Sequence, residues 1–552
     1  MSKLDSRLVK STRNRLAGQA MPARRLASRL LEHVPRYVEA RWTLRDAQAR
    51  RRGADPWTLR SFGPVLDTWL DDLHSARRLA TRTPRRILCF AYLPYWVEIC
   101  VATSVALCGH DCQVDVAWLD EFQDFACPES RWKVELRDNR FRFAHAFRRH
   151  SAPPLRFMIL SETPPSQLTE EMVQAARKQS IIDTAYSTTK ESLDILGDDR
   201  AVFERRQHRN LDCMARVLTI IRRGNYDSLL LPSGAVIEFG AVYRLAQLLG
   251  LPTTTFEFWG RPERVNVSQD SPVVHVELSS LWETDAPHVL SDERRARVQK
   301  ILDGREVPPE GGRSSAHQHT GPAATEQLRS QLHLAQGKPL VLLCPNVPFD
   351  AVFLVSRNAL FPTMSEWLVE TVRHLMRHPE AEVVVRGHPG ELVWAPDQTA
   401  ESILRQHGLL NAGNIHWVAP SDPVNTYSLM RLADVGIVHS STTAMEMPLF
   451  GVPVVCGNTF HYNRKGFTIE PETRDEYFQC IDRMLARPER LTARQVELAC
   501  CYVDIFFNQW PRPFPWVIGR LRQGLSVWPM GRVLSEEGQA QFGATFDYLA
   551  RR

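Results

Sequence analysis

Short, wholly apolar runs alternate with longer helical runs along the chain from residue 86 onward. "RILCFAYLP" and "CQVDVAWL" have the length and composition of buried strands, and "YWVEICVATSVALCGH" between them has helical length. A strand, a helix and a second strand within about thirty residues form a βαβ unit, which requires a parallel sheet. The alternation returns in "YDSLLLP", "GAVIEFGAVYRLAQLLG" and "LPTTTFEFW", so a first α/β block is predicted over residues 84–302.

A second block of the same kind is predicted over residues 327–510. Its strands include "KPLVLLCP", "AEVVVRGHP" and "ADVGIVH". Residues 303–326 separate the two blocks; they are rich in Gly, Pro, Ser and His without periodicity, and we interpret them as a linker or disordered loop. Two such blocks predict two Rossmann-like domains that face each other across a cleft. A helical extension, residues 1–83, is expected before them and a helical tail, residues 511–552, after them.

The composition is that of a globular protein, with 43% apolar and 24% charged residues. Neither a membrane-spanning helix nor a secretory signal is expected, because no apolar run has the length or position that these need. Eleven cysteines at irregular spacing favour a reducing cytoplasm. Cys108-Gly-His-Asp-Cys112 resembles half of a metal motif, but it has no second pair, so a turn is the expected structure.

Positive charge is concentrated at the start of the chain, although the net charge is only +5. Within residues 1–52, "ARRLASRLLEHV" places Leu26, Leu30 and Val34 on one helical face with arginines around them. Such a helix can lie on the anionic inner surface of a membrane or dock on the protein's own core. The absence of Phe and Trp from the apolar face favours docking on the core. Nucleic acid is not expected as a partner, because aromatic residues are almost absent from the basic run.

The stretch "VHSSTTAMEMPLFGVPVV" carries the most chemistry. Ser440, Ser441, Thr442 and Thr443 follow an apolar strand, at the position where ligands bind in parallel sheets. Their hydroxyls and the backbone N–H groups of a following helix suit phosphate oxygens, and Glu446 suits two adjacent ribose hydroxyls. A second interpretation remains open, in which the Thr443 and Glu446 side chains form a capping box for the helix itself. Pro448 is expected to kink or shorten that helix.

Two further stretches place cations after predicted strands. "VVVRGHPGE" presents Arg386, which can bind two phosphate oxygens at once, and His388, which can donate to a phosphate or carry a proton for a leaving group. "NTFHYNRKGFTIEP" presents Arg464 and Lys465 before a glycine. For each stretch an ordinary surface turn or solvated loop is the alternative interpretation.

These three stretches, in this order and spacing, resemble the bacterial capsule polysaccharide biosynthesis glycosyltransferases, which have the GT-B fold. The pattern is also similar to teichoic-acid glycerophosphotransferases and to non-hydrolysing UDP-sugar 2-epimerases. The resemblance is strongest over residues 335–490, weaker over 86–265 and absent before 84. It implies a nucleotide-activated sugar in the C-terminal domain and an acceptor glycan or lipid-linked acceptor in the N-terminal domain.

Transferred to this sequence, the resemblance implies that Arg386, His388 and the hydroxyls from Ser440 to Thr442 bind the donor phosphates. It implies that Glu446 binds the ribose and that Lys465 lies near the donor sugar. The chain departs from the family pattern where Met447, Pro448 and Leu449 follow Glu446.

Inverting transfer needs a general base for the acceptor hydroxyl, and Glu98 and Asp350 are the candidates, with His388 as a possible proton carrier. No Asp-x-Asp metal motif follows a predicted strand, as expected of a metal-independent enzyme with no cofactor besides the nucleotide sugar. Two alternatives stay open. One is a UDP-sugar 2-epimerase, and the other is an inactive GT-B scaffold that binds a glycan or an assembly partner.

Overall fold

The structure is a computed structural model, and it describes residues 37–76, 83–120, 136–259, 263–306, 325–350 and 360–552. The apolar face of the basic helix predicted within residues 1–52 lies outside the described residues, as does most of the predicted linker. Both boundaries of the predicted linker lie within helices. One described helix continues to Glu306, and another begins at Thr325. None of the described helices is long and apolar enough to cross a membrane.

A seven-stranded sheet forms the first half of the molecule, in the order β3-β2-β1-β4-β5-β6-β12. Strands β1 to β5 are parallel, and β6 and β12 are antiparallel to their neighbours. The chain moves outward from β1 in one direction and then returns to the other side of β1 at β4, so the switch point lies between β1 and β4. The strands are Arg85–Ala91 (β1), Cys112–Trp118 (β2), Leu155–Ile159 (β3), Ser228–Pro232 (β4), Thr253–Glu257 (β5), Arg264–Gln269 (β6) and Arg512–Pro513 (β12).

Helices cover this sheet and form one apolar core with it. Residues Phe62, Leu66 and Trp69 are buried in that core, so part of the predicted extension 1–83 belongs to the first half of the molecule. The pair Cys108 and Cys112 flanks a turn, as predicted. The helices of this half are Tyr37–Arg51 (α1), Gly63–Ala76 (α2), Pro94–Gly109 (α3), Leu136–His150 (α4), Glu170–Thr188 (α5), Arg200–Arg223 (α6) and Ile237–Leu248 (α7).

A five-stranded parallel sheet forms the second half, in the order β9-β8-β7-β10-β11. Every residue of β7, β8, β10 and β11 is buried, as expected for strands covered on both faces. This sheet has the same winding as the first, with its switch point between β7 and β10. The strands are Leu340–Cys344 (β7), Glu382–Arg386 (β8), Ile415–Val418 (β9), Val435–Val438 (β10) and Val454–Cys456 (β11).

Two apolar layers lie against the second sheet, one on each face. A third group of helices, after β11, ends the chain. The remaining helices are Ser279–Thr284 (α8), Asp292–Glu306 (α9), Thr325–Gln331 (α10), Met364–Leu375 (α11), Gly390–Trp394 (α12), Ala400–Gln406 (α13), Thr426–Leu432 (α14), Thr443–Glu446 (α15), Arg474–Ala486 (α16), Ala493–Asp504 (α17), Leu521–Val527 (α18), Met530–Val533 (α19) and Glu536–Leu549 (α20).

The C-terminal tail returns to the first half of the molecule. A π-helical turn, Ile505–Gln509, follows α17, and β12 then pairs with β6 of the first sheet. Phe514 and Phe546 are fully buried in the first core. The chain therefore crosses between the halves twice, and the predicted α/β class with two Rossmann-like sheets, the GT-B architecture, is confirmed.

Candidate functional site

Polar side chains meet at the switch point of the second sheet. The amide Oδ1 of Asn346, which follows β7, accepts from the backbone N–H of Ser440 at 3.2 Å and lies 3.4 Å from its hydroxyl. Ser441 Oγ accepts from the backbone N–H of Thr443 at 3.3 Å and from its hydroxyl at 3.0 Å. Parallel sheets bind ligands at their switch points, and the predicted hydroxyl cluster lies at this one.

A buried layer supports this cluster from below. His439 is fully buried, and its Nδ1 lies 3.2 Å from the Ser440 hydroxyl while its Nε2 contacts the amide of Asn458. Burial lowers the pKa of His439 to about 3, so the ring is neutral at physiological pH. Its neutral state suits a supporting role, and the sequence pattern gave no sign of it.

The helix after the hydroxyl cluster is very short. The Thr443–Glu446 capping box does not form, because Thr443 is already the first residue of the helix and the Glu446 carboxylate pairs with other side chains. Helix α15 has four residues, and a 3₁₀ turn with Pro448 near its start replaces it at Met447. Gly436 of β10 allows this turn to pack closely, since a Cβ there would lie 2.3 Å from the sulfur of Met447. Pro448 shortens the helix as predicted, and a helix of one turn adds little dipole to an anion site.

Glu446 is buried and paired. Its Oε1 lies 2.9 Å from the Arg305 guanidinium, and its Oε2 accepts from the Tyr427 hydroxyl at 3.1 Å. Arg305 Nε also donates to Tyr427 Oη at 2.7 Å. Burial and the charge of Glu446 raise the pKa of Tyr427. The carboxylate is therefore held as an acceptor by two neighbours, and sequence reasoning missed Arg305 because the predicted linker began at residue 303.

Arg386 has partners other than those predicted. Its guanidinium donates to the backbone carbonyls of Ala419 and Val424, and its Nε lies 3.4 Å from the Thr426 hydroxyl. The side chain is buried, and burial lowers its pKa. These contacts anchor the loop between β9 and α14, and they occupy donors that the prediction assigned to phosphate oxygens. The charge of Arg386 nevertheless lies near the β7 end, because burial raises the pKa of Cys344 to about 12 and Arg386 opposes that shift.

His388 precedes the hydroxyl cluster in the sequence and Lys465 follows it, and the two side chains have different surroundings. His388 is half-buried, and its Nδ1 accepts from the backbone N–H of Gly390 at 3.0 Å. That bond leaves the ring proton on Nε2 when the ring is neutral. Lys465 is half-buried with its Nζ 5.9 Å from the centre of the Trp282 ring. The contacts described for Lys465 are thus with Trp282 and not with the hydroxyl cluster.

Carboxyl groups from both halves surround one tyrosine in the cleft. The Tyr186 ring packs 6.0 Å from the ring of Phe349, which lies in the helical segment that follows β7. Burial raises the pKa of Tyr186, and the charges of Asp350 and Glu257 raise it further. Glu257 ends β5 of the first sheet, so the strand ends of the two sheets face each other here. Sequence reasoning named Asp350 but missed Glu257.

Both of these carboxyl groups have pKa values near neutral pH. Burial raises the pKa of Asp350 to about 7. Burial also raises the pKa of Glu257 to about 7, although a hydrogen bond from the Phe258 N–H opposes the shift. The charge of Glu257 in turn contributes to raising the pKa of Tyr95 to about 12. A carboxyl group with a pKa near the working pH can act as a general base or acid.

The switch point of the first sheet holds strained backbone. Leu93 after β1, and Ser233 and Ile237 after β4, all have positive φ angles, of 59°, 56° and 49°. A β-branched residue such as Ile237 rarely adopts this conformation, and Asp183 Oδ1 holds it by accepting from its N–H at 2.5 Å. Gly234 lies in the same turn, where a Cβ would approach Thr255 Cγ2 to 2.7 Å. Strain of this kind is concentrated at binding sites.

Glu98 is not part of the cleft cluster. Its Oε1 accepts from the Arg142 guanidinium at 3.0 Å, and Arg142 also donates to the carbonyl of Leu59 at 3.0 Å. Burial raises the pKa of Glu98, and Arg142 opposes that shift. The pair ties α3 to α4, and the catalytic role of Glu98 stays a prediction.

A direct contact also joins the two halves. The Glu191 carboxylate accepts from the backbone N–H and the hydroxyl of Ser365 at 2.9 and 2.7 Å, and its backbone N–H donates to Gln398 Oε1 at 2.9 Å. Glu191 belongs to the first half of the molecule, and Ser365 lies at the start of α11 in the second. This contact is one direct link between the two halves.

No family model and no curated protein matches the sequence significantly. Among solved structures, the KpsC β-Kdo 2,7-transferase of Thermosulfurimonas dismutans matches with 15% identity, over 52% of this chain and 79% of that chain, with a TM-score of 0.30. The UDP-GlcNAc 2-epimerase of Neisseria meningitidis matches with 12% identity, over 77% and 99%, with a TM-score of 0.22. A glycosyltransferase of Rickettsia africae matches with 11% identity, over 82% and 99%, with a TM-score of 0.27.

The similar structures therefore include β-Kdo transferases, a glycosyltransferase and a UDP-GlcNAc 2-epimerase.

Proposed function

We propose that the protein is a glycosyltransferase that moves a sugar from a nucleotide-activated donor to a surface or capsular polysaccharide or to its lipid-linked precursor. One observation carries the proposal. The hydroxyl cluster at the switch point of the second sheet belongs to the same strand-end rim as Asp350, which shares Tyr186 with Glu257 of the first sheet. This arrangement supports a donor site on one edge of the cleft and proton-transfer groups on the facing edge.

In this proposal the second half binds the donor. The hydroxyls from Ser440 to Thr442 and the side-chain NH2 group of Asn346 donate to the phosphate oxygens. Glu446, oriented by Arg305 and Tyr427, accepts from the ribose hydroxyls. Because Arg305 is half-exposed, its guanidinium can keep one edge on Glu446 while a nucleotide takes the other.

The first half binds the acceptor in this proposal. The strained turn from Ser233 to Ile237 is fixed by Asp183, so its backbone is ordered before the acceptor arrives. Asp350 removes the proton of the acceptor hydroxyl as that oxygen attacks the anomeric carbon. The bond from the anomeric carbon to the nucleotide phosphate breaks at the same time, and the hydroxyl cluster stabilises the charge on the departing phosphate.

The test is a panel of UDP-, GDP- and CMP-sugars, assayed by release of the nucleotide with and without an oligosaccharide acceptor. We expect one nucleotide class to be released, with release dependent on the acceptor. A protein that binds a nucleotide but never releases one from its sugar, with any acceptor, would be a binding scaffold and would contradict the proposal.

A UDP-sugar 2-epimerase is the second candidate. The specific observation in its favour is the pair of carboxyl groups with pKa values of about 7 around Tyr186, because epimerisation needs more than one proton-transfer group near the hexose. The same panel separates the two activities. An epimerase would change the stereochemistry of the sugar without an acceptor, and a transferase would not.

Glu446→Gln is expected to weaken binding of the product nucleotide by about 10- to 100-fold, which corresponds to ~1.5–3 kcal/mol for hydrogen bonds to a charged group. Calorimetric titration measures it. Glu382→Gln is the matched control. Glu382 is also buried and paired, with His416 at 2.6 Å, but it lies at the N-terminal end of β8, opposite to the strand ends at which the hydroxyl cluster lies. Equal affinities of both variants for the nucleotide would show that Glu446 has only a structural role.

A further inference from the structure

Two histidines and one aspartate converge at the end of α11 that lies away from the cleft. The Nε2 atoms of His374 and His378 lie 2.6 and 3.0 Å from the same atom, Oδ1 of Asp482 on α16. The two imidazole centres are 5.1 Å apart. One potential ligand atom from each residue lies within 4.8 Å of the others, and this is the one such group of three among the described residues.

We propose that His374, His378 and Asp482 bind a divalent transition-metal ion of the class that prefers imidazole and carboxylate ligands, such as Zn²⁺, Co²⁺ or Ni²⁺. Three protein ligands leave a coordination position for water. The aspartate side chain is 46% exposed, so an ion can reach the group from solvent.

The separations fit a metal site after small side-chain movements. Ligand atoms at about 2.0–2.1 Å from a metal lie about 3.3 Å from each other when the site is tetrahedral. The two distances from the histidine nitrogens to Asp482 are already close to that value. A rotation about the side-chain bonds of His374 or His378 can bring the third separation, between the two histidine nitrogens, from its present value within 4.8 Å to that value.

An outer partner for one histidine is also in place. His378 Nδ1 lies 2.8 Å from Glu380 Oε1. When the outer nitrogen donates to a carboxylate, the inner nitrogen keeps its lone pair for the metal, which is the usual arrangement around histidine ligands. Arg377 also lies near His374, and its positive charge opposes metal binding. The two carboxylates outweigh it in number.

The site is separate from the proposed reaction. Helix α11 begins at the contact with Glu191 and carries His374 in its last turn, so the site is about 15 Å along the helix from that contact. A metal there would join α11 to α16 without touching the donor or acceptor. The inference therefore does not depend on the proposed function.

The experiment uses the full-length, tag-free protein after treatment with a chelator. Titration with Co²⁺ or Zn²⁺, followed by calorimetry and by the visible absorption of bound Co²⁺, is expected to show one equivalent that His378→Ala and Asp482→Asn each remove or weaken by more than about 100-fold. Glu380→Gln should weaken it less, by about tenfold.

His416→Ala is the matched control. His416 is also paired with a carboxylate, that of Glu382, but it does not belong to the proposed group of three metal ligands. It should keep the full affinity. Circular dichroism verifies that each variant is folded, and Asp482→Asn keeps the shape of a half-exposed side chain and is expected to fold. Absence of a bound equivalent in the parent protein, or equal binding by the parent and the Asp482→Asn variant, would overturn the proposal.

Discussion

Asp350→Asn is expected to lower kcat of sugar transfer by about 10²–10⁴-fold, the usual contribution of a general base. The asparagine keeps the shape of the side chain but cannot accept the proton of the acceptor hydroxyl. Binding of the nucleotide should change little, because the proposal assigns that binding to the hydroxyl cluster and Glu446, whereas the charge of Asp350 acts on Tyr186. Steady-state kinetics combined with nucleotide titration separates the two effects.

The pH profile gives a second test of the same residue. A general base must be deprotonated to work, and burial raises the pKa of Asp350 to about 7. In the parent protein kcat/KM should therefore rise through pH 7 and level off above it, whereas the residual activity of Asp350→Asn should lack that limb. If Glu257→Gln removes the limb and Asp350→Asn does not, the base is Glu257.

Glu98→Gln is the comparison for this prediction. Sequence reasoning ranked Glu98 beside Asp350, but its partner is Arg142 on α4. The variant should therefore lose some thermal stability and keep its kcat. A loss of kcat equal to that of Asp350→Asn would mean that the cleft assignment is wrong.

The fold could be predicted in large part because buried parallel strands are continuous apolar runs. "LVLLC" and "VVV" in β7 and β8 leave little ambiguity. Strand β12 could not be predicted, since it consists only of Arg512 and Pro513 and exists through its pairing with β6. The inclusion of α2 in the first core was missed for a similar reason. Its burial depends on contacts with α3, α4 and α19, and a basic segment precedes it.

The candidate site was less predictable, because side-chain partners come from distant parts of the sequence. The position of the hydroxyl cluster followed from strand order alone. The partners of Arg386 are backbone carbonyls 33 and 38 residues away, and no local pattern shows where carbonyls will point. Glu257 did carry a local signal, since it is the single carboxylate at the end of the strand "TTTFE". The rule that identified Arg386 at a strand end would have identified it too.

The strained turn of the first sheet depends on a buried ionic network, and this network carries the largest predicted effect on stability. Glu238 of α7 accepts from Arg209 Nε at 2.7 Å and lies 3.1 Å from Arg206 Nη2. Arg206 is also 3.3 Å from Asp183, the residue that holds the N–H of Ile237. All four charged side chains are at most 10% exposed, so no water can replace a lost partner.

Glu238→Ala is therefore expected to lower the free energy of unfolding by about 3–5 kcal/mol, the usual cost of leaving a buried charge without its partner. Chemical denaturation monitored by tryptophan fluorescence measures this loss. Glu537→Ala is the control, because Glu537 pairs with Arg532 at 2.6 Å on the surface, where an ion pair contributes little to stability.

The sign of the pH dependence gives an independent measurement. Burial opposes ionisation of Glu238, but Arg206 and Arg209 outweigh it and lower its pKa from 4.5 to about 2. The stabilisation by Glu238 is thus complete above pH 4.5 and is lost as the pH falls toward 2. Asp183 acts in the opposite sense, since burial raises its pKa despite Arg206. The difference between the parent protein and Glu238→Ala should therefore shrink over that acid range, and a difference that stayed constant from pH 7 to pH 3 would show that packing, and not the ionic network, holds the turn.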